Sequence, residues 1–161
     1  MKLGVMSDSH DNIPNVARAV ALFNEIDVDL VVHAGDFIAP FAIDPLADLN
    51  CRVVGVFGNN DGERVILAQR FETIRGEVHP NLASVSLGGK NIAVMHYPEL
   101  AIPIAKSGDY DIVVYGHTHK IDIQKGEALL LNPGETGGWT TGKATIAVVD
   151  TQTLETTLHE L

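Results

Sequence analysis

Basic residues, cysteine and long apolar runs are all scarce in this chain. Eleven Lys and Arg stand against 21 Asp and Glu, a formal net charge of −10, which disfavours nonspecific attraction to nucleic-acid backbone or to an anionic membrane surface. No basic or aromatic tract offsets that balance, so an extended nucleic-acid footprint is not expected, although short or cyclic nucleotides stay open. Cys51 is the one cysteine. An intramolecular disulfide is therefore excluded, and no thiolate metal cluster can be built from this chain alone. Any metal site must use nitrogen and oxygen. The longest apolar runs, such as residues 91–95 and 128–131, fall far short of the roughly 20 residues of a membrane-spanning helix. Met1 leads straight into an apolar, strand-like segment, so no secretory leader is expected and the cytoplasm is the expected location.

What is present is enough for one well-buried core: 161 residues, 45% of them apolar, read as a single domain over residues 1–161. Residues 2–7 read as a strand, after which Ile13, Val16, Val20 and Phe23 recur at helical spacing, with Pro14 suited to a first helical turn. Strands at 30–34 and 52–57 are each followed by a helical stretch, at 43–49 and 63–71. Beyond Gly76 the pattern turns strand-rich: 82–87, 91–96, 111–115, 121–124, 128–131, 144–150 and 153–158, with one short helix near 100–107. Gly88 and Gly89 mark a hairpin. Alternating strands and helices followed by successive hairpins predict an α/β fold, a four-layer αββα sandwich of two mixed sheets flanked by helices.

Four short segments place Asp, Asn or His at the end of a predicted strand: Asp8-Ser9-His10, Gly35-Asp36, Gly58-Asn59-Asn60-Asp61 and Gly116-His117-Thr118-His119. His96 ends a fifth. Ligands in α/β proteins gather at the carboxyl ends of strands, so these residues are expected to converge on one crevice. Imidazole, amide and carboxylate donors suit divalent transition metals rather than calcium or magnesium. In both Asp8-Ser9-His10 and His117-Thr118-His119 the donors alternate at i and i+2, which in extended backbone points them to one side. Gly35, Gly58 and Gly116 would let backbone approach closely.

The ordered set D-x-H, GD, GNND, a lone strand-end His and GHTH resembles the calcineurin-like metallophosphoesterase superfamily. Within it, the opening MKLGVMSDSHDN and the NPGE segment at 132–135 resemble the small archaeal and bacterial phosphodiesterases related to a retromer subunit. The resemblance covers essentially the whole chain. It implies one ion held by Asp8, His10, Asp36 and His119, and a second held by Asp36, Asn59, His96 and His117, with Asp36 bridging. It implies manganese or nickel first among manganese, nickel, cobalt, iron and zinc. A metal-bridging hydroxide would attack phosphorus in line on a phosphoester small molecule, favouring diesters. Where many relatives carry His after the Asn, this chain has Asn60, an amide that cannot act as a general acid. Leaving-group protonation is then weaker, passes through water or falls to another residue such as Tyr97, while Arg64 either holds a phosphate oxygen or is an exposed helix residue. The rival function is a metal-retaining protein-binding scaffold of the retromer-subunit type; self-association stays open, and no membrane partner is expected.

Other candidates read as structural. His33 sits in an apolar strand as a core residue or a support behind the ligands, and His79 and His159 look like loop and terminal surface positions. Asp11 and Asp61 adjoin proposed ligands and read first as acids that cap free amides near a helix start, with a role in orienting His10 or Asn59 as the alternative. Glu135 belongs to a turn near the site. Residues 137–143 half-match a phosphate-binding GxxxxGK loop, yet Ala144 follows and 145–149 reads as a strand, whereas such a loop must open a helix.

Overall fold

In the computed structural model, which describes residues 1–161, eleven strands form two mixed sheets. The first has the order β11 (Thr156–Glu160), β10 (Thr145–Asp150), β1 (Lys2–Met6), β2 (Leu30–His33), β3 (Val53–Val56), β4 (Glu77–His79). Strands β1 to β4 run parallel, and β10 and β11 are added antiparallel. The second has the order β5 (Leu82–Leu87), β6 (Lys90–Met95), β7 (Ile112–Val114), β9 (Leu129–Pro133), β8 (Ile121–Lys125). Here β6, β7 and β9 are parallel and both edge strands are antiparallel.

Residue pattern explains the layering. The inner strands β2, β3 and β7 are buried on both faces, as parallel strands covered on both sides must be. Edge strand β5 alternates exposed and buried positions, presenting one face to water. Facing side chains of the two sheets, among them Leu3, Val32, Val54, Val94, Ile112 and Leu131, make the central core. Helix α1 (Ile13–Ile26) buries Val16, Ala19, Val20 and Phe23 against the outside of the first sheet. Asn12 caps it by accepting the Asn15 amide at 3.3 Å, and Asp27, at φ 61°, ends it. Helix α2 (Arg64–Thr73) contributes Leu67 and Phe71 to the same layer. Helix α3 (Pro98–Ile104) covers the second sheet with Ala101. The outer core is 16 residues on the first side and 8 on the second, so the sandwich is thicker where α1 and α2 pack.

Four elements differ from expectation. The stretch expected to be helical at 43–49 is a 3₁₀ helix, Pro40–Asp48, because Pro45 has no amide to extend an α-helical ladder. Strand β4 went unpredicted; it has three residues, and Glu77 and His79 flank a lone apolar Val78. Helix α3 starts at Pro98 rather than 100, with proline in the first turn. Strand β11 begins at Thr156 rather than 153, because a turn over 151–153 and a left-handed Leu154 (φ 58°) intervene. No helix is long and apolar enough to cross a membrane.

Candidate metal centre

The carboxyl ends of β1, β2, β3, β6 and β7 carry Asp8, Asp36, Asn59, His96 and His117 on the loops that follow them. Backbone bonds then lace these loops across both sheets. The Asp8 amide donates to Gly35 O at 3.0 Å, His10 to Asp36 O at 3.1 Å, and Gly116 to His96 O at 3.1 Å. Asp8, His10, Asp36, His117 and His119 all have positive φ, between 43° and 69°. The hooks are therefore left-handed turns, not the extended backbone expected, because the loops must fold back over the strand ends to converge. Asp and His tolerate that region better than most residues, at a cost on the order of 1–3 kcal/mol each. Ile38 joins them at φ 83°.

The glycines act as anticipated, by absence of a side chain. A Cβ on Gly58 would collide with Asp36 Oδ1 and stand 2.6 Å from the Asp36 amide. One on Gly116 would strike Ser7 Oγ and lie 2.7 Å from Asp8 Oδ2.

Asp8, His10, Asp36 and His119 offer ligand atoms that all lie within 4.8 Å of one another. Asp8 and Asp36 are buried. His10 Nε2 stands 3.3 Å from His119 Nε2 and 3.5 Å from Asp36 Oδ2, and His119 Nε2 stands 3.4 Å from Asp8 Oδ1. With bonds of about 2.1 Å, the edges of a tetrahedral or octahedral ligand shell are about 3.4 or 3.0 Å, so the spacing fits one transition-metal ion. Tautomers agree. Glu135 Oε2 accepts from His119 Nδ1 at 3.0 Å, and Ala34 O accepts from His96 Nδ1 at 2.7 Å, leaving the Nε2 lone pair of each neutral ring free for a cation. Burial pushes the Glu135 carboxyl up, but the Thr141 amide and hydroxyl and the His119 ring hold it below its ordinary value. The Asp8 carboxylate, 3.8 Å from His10 Nε2, raises the His10 ring above its ordinary value against burial, and the Asp36 and Glu135 charges add to it. A field that favours a proton there favours a metal cation too.

Asn59, His96 and His117 form a second group. Asn59 Oδ1 lies 3.0 Å from His96 Nε2 and 2.8 Å from His117 Nδ1. Asp36 Oδ2 is 3.6 Å from His96 Nε2 as well as 3.5 Å from His10 Nε2. One carboxylate oxygen thus faces both groups.

Asn60, Arg64 and Tyr97 surround this centre in different ways. Asn60 donates its amide to Asp36 Oδ1 at 2.8 Å and its side-chain Nδ2 to Asp36 Oδ2 at 2.7 Å. Arg64 spends two donors on the carbonyls of Asp61 and Gly58, at 3.0 and 2.9 Å, with its guanidinium 5.2 Å from the Phe57 ring centre. The Tyr97 ring packs against His96 and His117, centroids 5.0 and 5.1 Å away.

Several supporting residues were underestimated from sequence. Asp61 caps no helix; α2 starts at Arg64 with Glu63 before it. Buried, its carboxylate instead accepts the amides of Asp36, Ile38 and Gly58 at 3.0, 2.8 and 2.7 Å, clamping together the two loops that carry Asp36 and Asn59. Asp11 likewise accepts the Ala39 amide across loops, at 2.9 Å. Asn132 Nδ2 donates to Gly116 O and Thr118 Oγ1 at 2.9 and 3.1 Å. The NPGE segment, marked in sequence by its resemblance to the small phosphodiesterases, thus serves the His117–His119 loop through Asn132 and Glu135. His33 is buried, as expected, and burial pulls its ring down to about 3. His79 and His159 are half-buried strand residues, in β4 and β11, rather than loop and terminal surface positions, because each edge strand pairs with its neighbour at that point. Residues 137–143 run into strand β10, not a helix, so the P-loop half-match is fortuitous.

Residues 1–154 match the calcineurin-like phosphoesterase superfamily domain. The chain is 38% identical over 159 residues to a phosphodiesterase of Methanocaldococcus jannaschii, covering 96% of each. It superposes on the structure of an archaeal phosphodiesterase with a TM-score of 0.94 at 36% identity, covering 100% of both chains. Vps29 of Chaetomium thermophilum gives a TM-score of 0.70 at 16% identity, over 100% of this chain and 97% of that one. That likeness concerns the fold alone.

Proposed function

The chain belongs to the calcineurin-like phosphoesterase superfamily and is a metal-dependent phosphoesterase, and from that membership we propose that it hydrolyses phosphodiesters at a two-metal centre. One ion would be held by Asp8, His10, Asp36 and His119, the other by Asp36, Asn59, His96 and His117. The observation that carries the pair is the position of Asp36 Oδ2, 3.5 Å from His10 Nε2 and 3.6 Å from His96 Nε2. Two divalent ions about 3.5–4 Å apart supply charge neutralisation for the phosphoryl oxygens and a nucleophile from water near neutral pH. Manganese or nickel is the proposed ion, in keeping with mixed nitrogen and oxygen donors. Preference for diesters is supported by the relative named a phosphodiesterase, of which the chain covers 96%.

The chain's own residues hold the geometry. Asn60 grips both oxygens of Asp36 and fixes the bridging carboxylate. Ser7 Oγ and the His117 amide hold Asp8 from behind, at 2.6 and 3.1 Å. With an amide at position 60, the leaving group would take its proton from water or from Tyr97. The enzyme would act as one domain, in the cytoplasm.

Asp36→Asn keeps the shape and removes the charge. It should cut metal-stimulated hydrolysis of bis(p-nitrophenyl) phosphate by about 10³-fold or more, since bridging is worth several kcal/mol. Elemental analysis of the same protein should show lost metal. Full activity in the variant would overturn the two-metal reading.

A further inference from the structure

Trp139 is 67% exposed, an uncommon state for the largest apolar side chain, and it stands beside the proposed centre. Its Nε1–H donates to the carbonyl of His10 at 2.9 Å, so the ring is anchored by its one polar atom to a proposed ligand residue. The loop that carries it is fixed at both ends. Gly137 donates its amide to Asp8 O at 3.0 Å, and a Cβ there would stand 2.9 Å from Ser9 O and 3.0 Å from Trp139 Cδ1. Beyond the indole, Glu135 accepts the Thr140 and Thr141 amides and the Thr141 hydroxyl while it holds His119. Loop and metal ligands are thus one hydrogen-bonded unit. Outside the ring lies an open groove of about 240 Å³ lined by Asn12, Asn15, Arg18 and Trp139.

An indole held rigid by its N–H, with its surface left to solvent, does not contribute to the core. It offers a flat aromatic surface at low entropic cost. We propose that Trp139 is the specificity residue for the esterified group of the substrate, stacking an aromatic ring such as a nucleobase while the phosphorus sits at the metal centre. The substrate class is then a nucleotide phosphodiester rather than an alkyl or glycerol diester. The acidic surface does not oppose this, since stacking needs no phosphate backbone beyond the reacting one. The inference rests on the phosphodiesterase reading for its chemistry, but the ring can be tested apart from turnover.

Trp139 is the only tryptophan, so fluorescence excited at the red edge of the indole band, where the three tyrosines do not absorb, reports on it alone. Titrating the metal-loaded protein with AMP should give saturable quenching, and methyl phosphate at the same concentrations should not; absence of quenching by AMP would overturn the proposal. In parallel, thymidine 5′-(p-nitrophenyl) phosphate and methyl p-nitrophenyl phosphate share a leaving group and differ only in the retained group. Trp139→Ala should lower the ratio of kcat/KM for the two esters by about ten-fold, mainly through KM. Trp139→Phe, which keeps a ring and loses the bond to His10, should restore most of that ratio. Equal losses on both esters in both variants would mean that Trp139 only positions His10, and would also overturn it. If the wild type hydrolyses neither ester, the phosphodiesterase reading fails, and the fluorescence titration still decides the stacking site.

Discussion

Glu135 shows how much a site depends on residues that touch no metal. Its buried carboxylate collects the His119 ring, the Thr140 and Thr141 amides and the Thr141 hydroxyl. It thereby sets which nitrogen of His119 is free. Glu135→Gln keeps the volume and removes the charge, and should weaken metal affinity by about 10–100-fold, read by calorimetric titration of chelator-stripped protein; unchanged affinity would deny it the orienting role. His33 illustrates a different dependence. Its Nδ1 accepts the Gly35 amide and its Nε2 bonds Ser9 Oγ, at 3.1 Å each, and burial lowers its pKa from 6.5 to about 3. The unfolded chain therefore binds a proton that the folded chain refuses between those values. Stability is retained above about 6.5 and falls as pH drops towards 3, by up to about 1.4 kcal/mol per pH unit from this group. Urea unfolding of the metal-free protein at pH 7, 6 and 5 should show that slope, and His33→Gln should flatten it by about that amount. Equal slopes in the two proteins would show that His33 titrates normally in the fold.

The loops between strands and helices carry the left-handed turns, and Gly58 is where two of them touch. Gly58→Ala puts a methyl group onto Asp36 Oδ1, with backbone rather than a flexible side-chain end behind it. It should cost about 1–3 kcal/mol or more and abolish metal binding, seen in thermal melts with and without added manganese. Gly62→Ala, four residues on and with nothing within 4 Å, is the matched control and should bind metal normally. Equal behaviour of the two variants would show that loop contact is not what fixes Asp36. The buried strands, though not the three-residue β4, and the five segments that carry the proposed ligands were legible in sequence because buried parallel strands read as apolar runs with a polar residue at the end. The local turns were not. Nothing in D-x-H distinguishes an extended pair from a left-handed one, since that choice is set by the neighbouring Gly35 and His117 backbone. Asp61 was misread for a related reason: its partners, the amides of Asp36 and Ile38, lie more than 20 residues away in the chain. Trp139 passed unnoticed, because only the fold shows that its loop lies against Asp8 and His10.

Across the whole molecule, a chain of net charge −10 buries Asp8, Asp36, Asp61 and Glu135 in or beneath one centre. Backbone amides offset Asp61 and part of the rest, but Asp8 and Asp36 still face each other across His10. Bound cations would remove that repulsion and tie together loops from both sheets. Metal should therefore act as a stabilising ligand of the entire sandwich. At a free concentration 100 times its Kd, one ion adds about 2.7 kcal/mol, which for a chain of this size raises Tm by roughly 5–10 °C. Stripping the protein with a chelator should lower Tm by that amount, and manganese should restore it, as read by calorimetry. Asp36→Asn sharpens the expectation, because it removes a buried charge from the metal-free protein while destroying the proposed bridge. In chelator it should melt no lower than the stripped wild type, and it should gain little from manganese. A variant that melts well below the stripped wild type, or that gains as much from metal, would mean that Asp36 holds the fold rather than the ions.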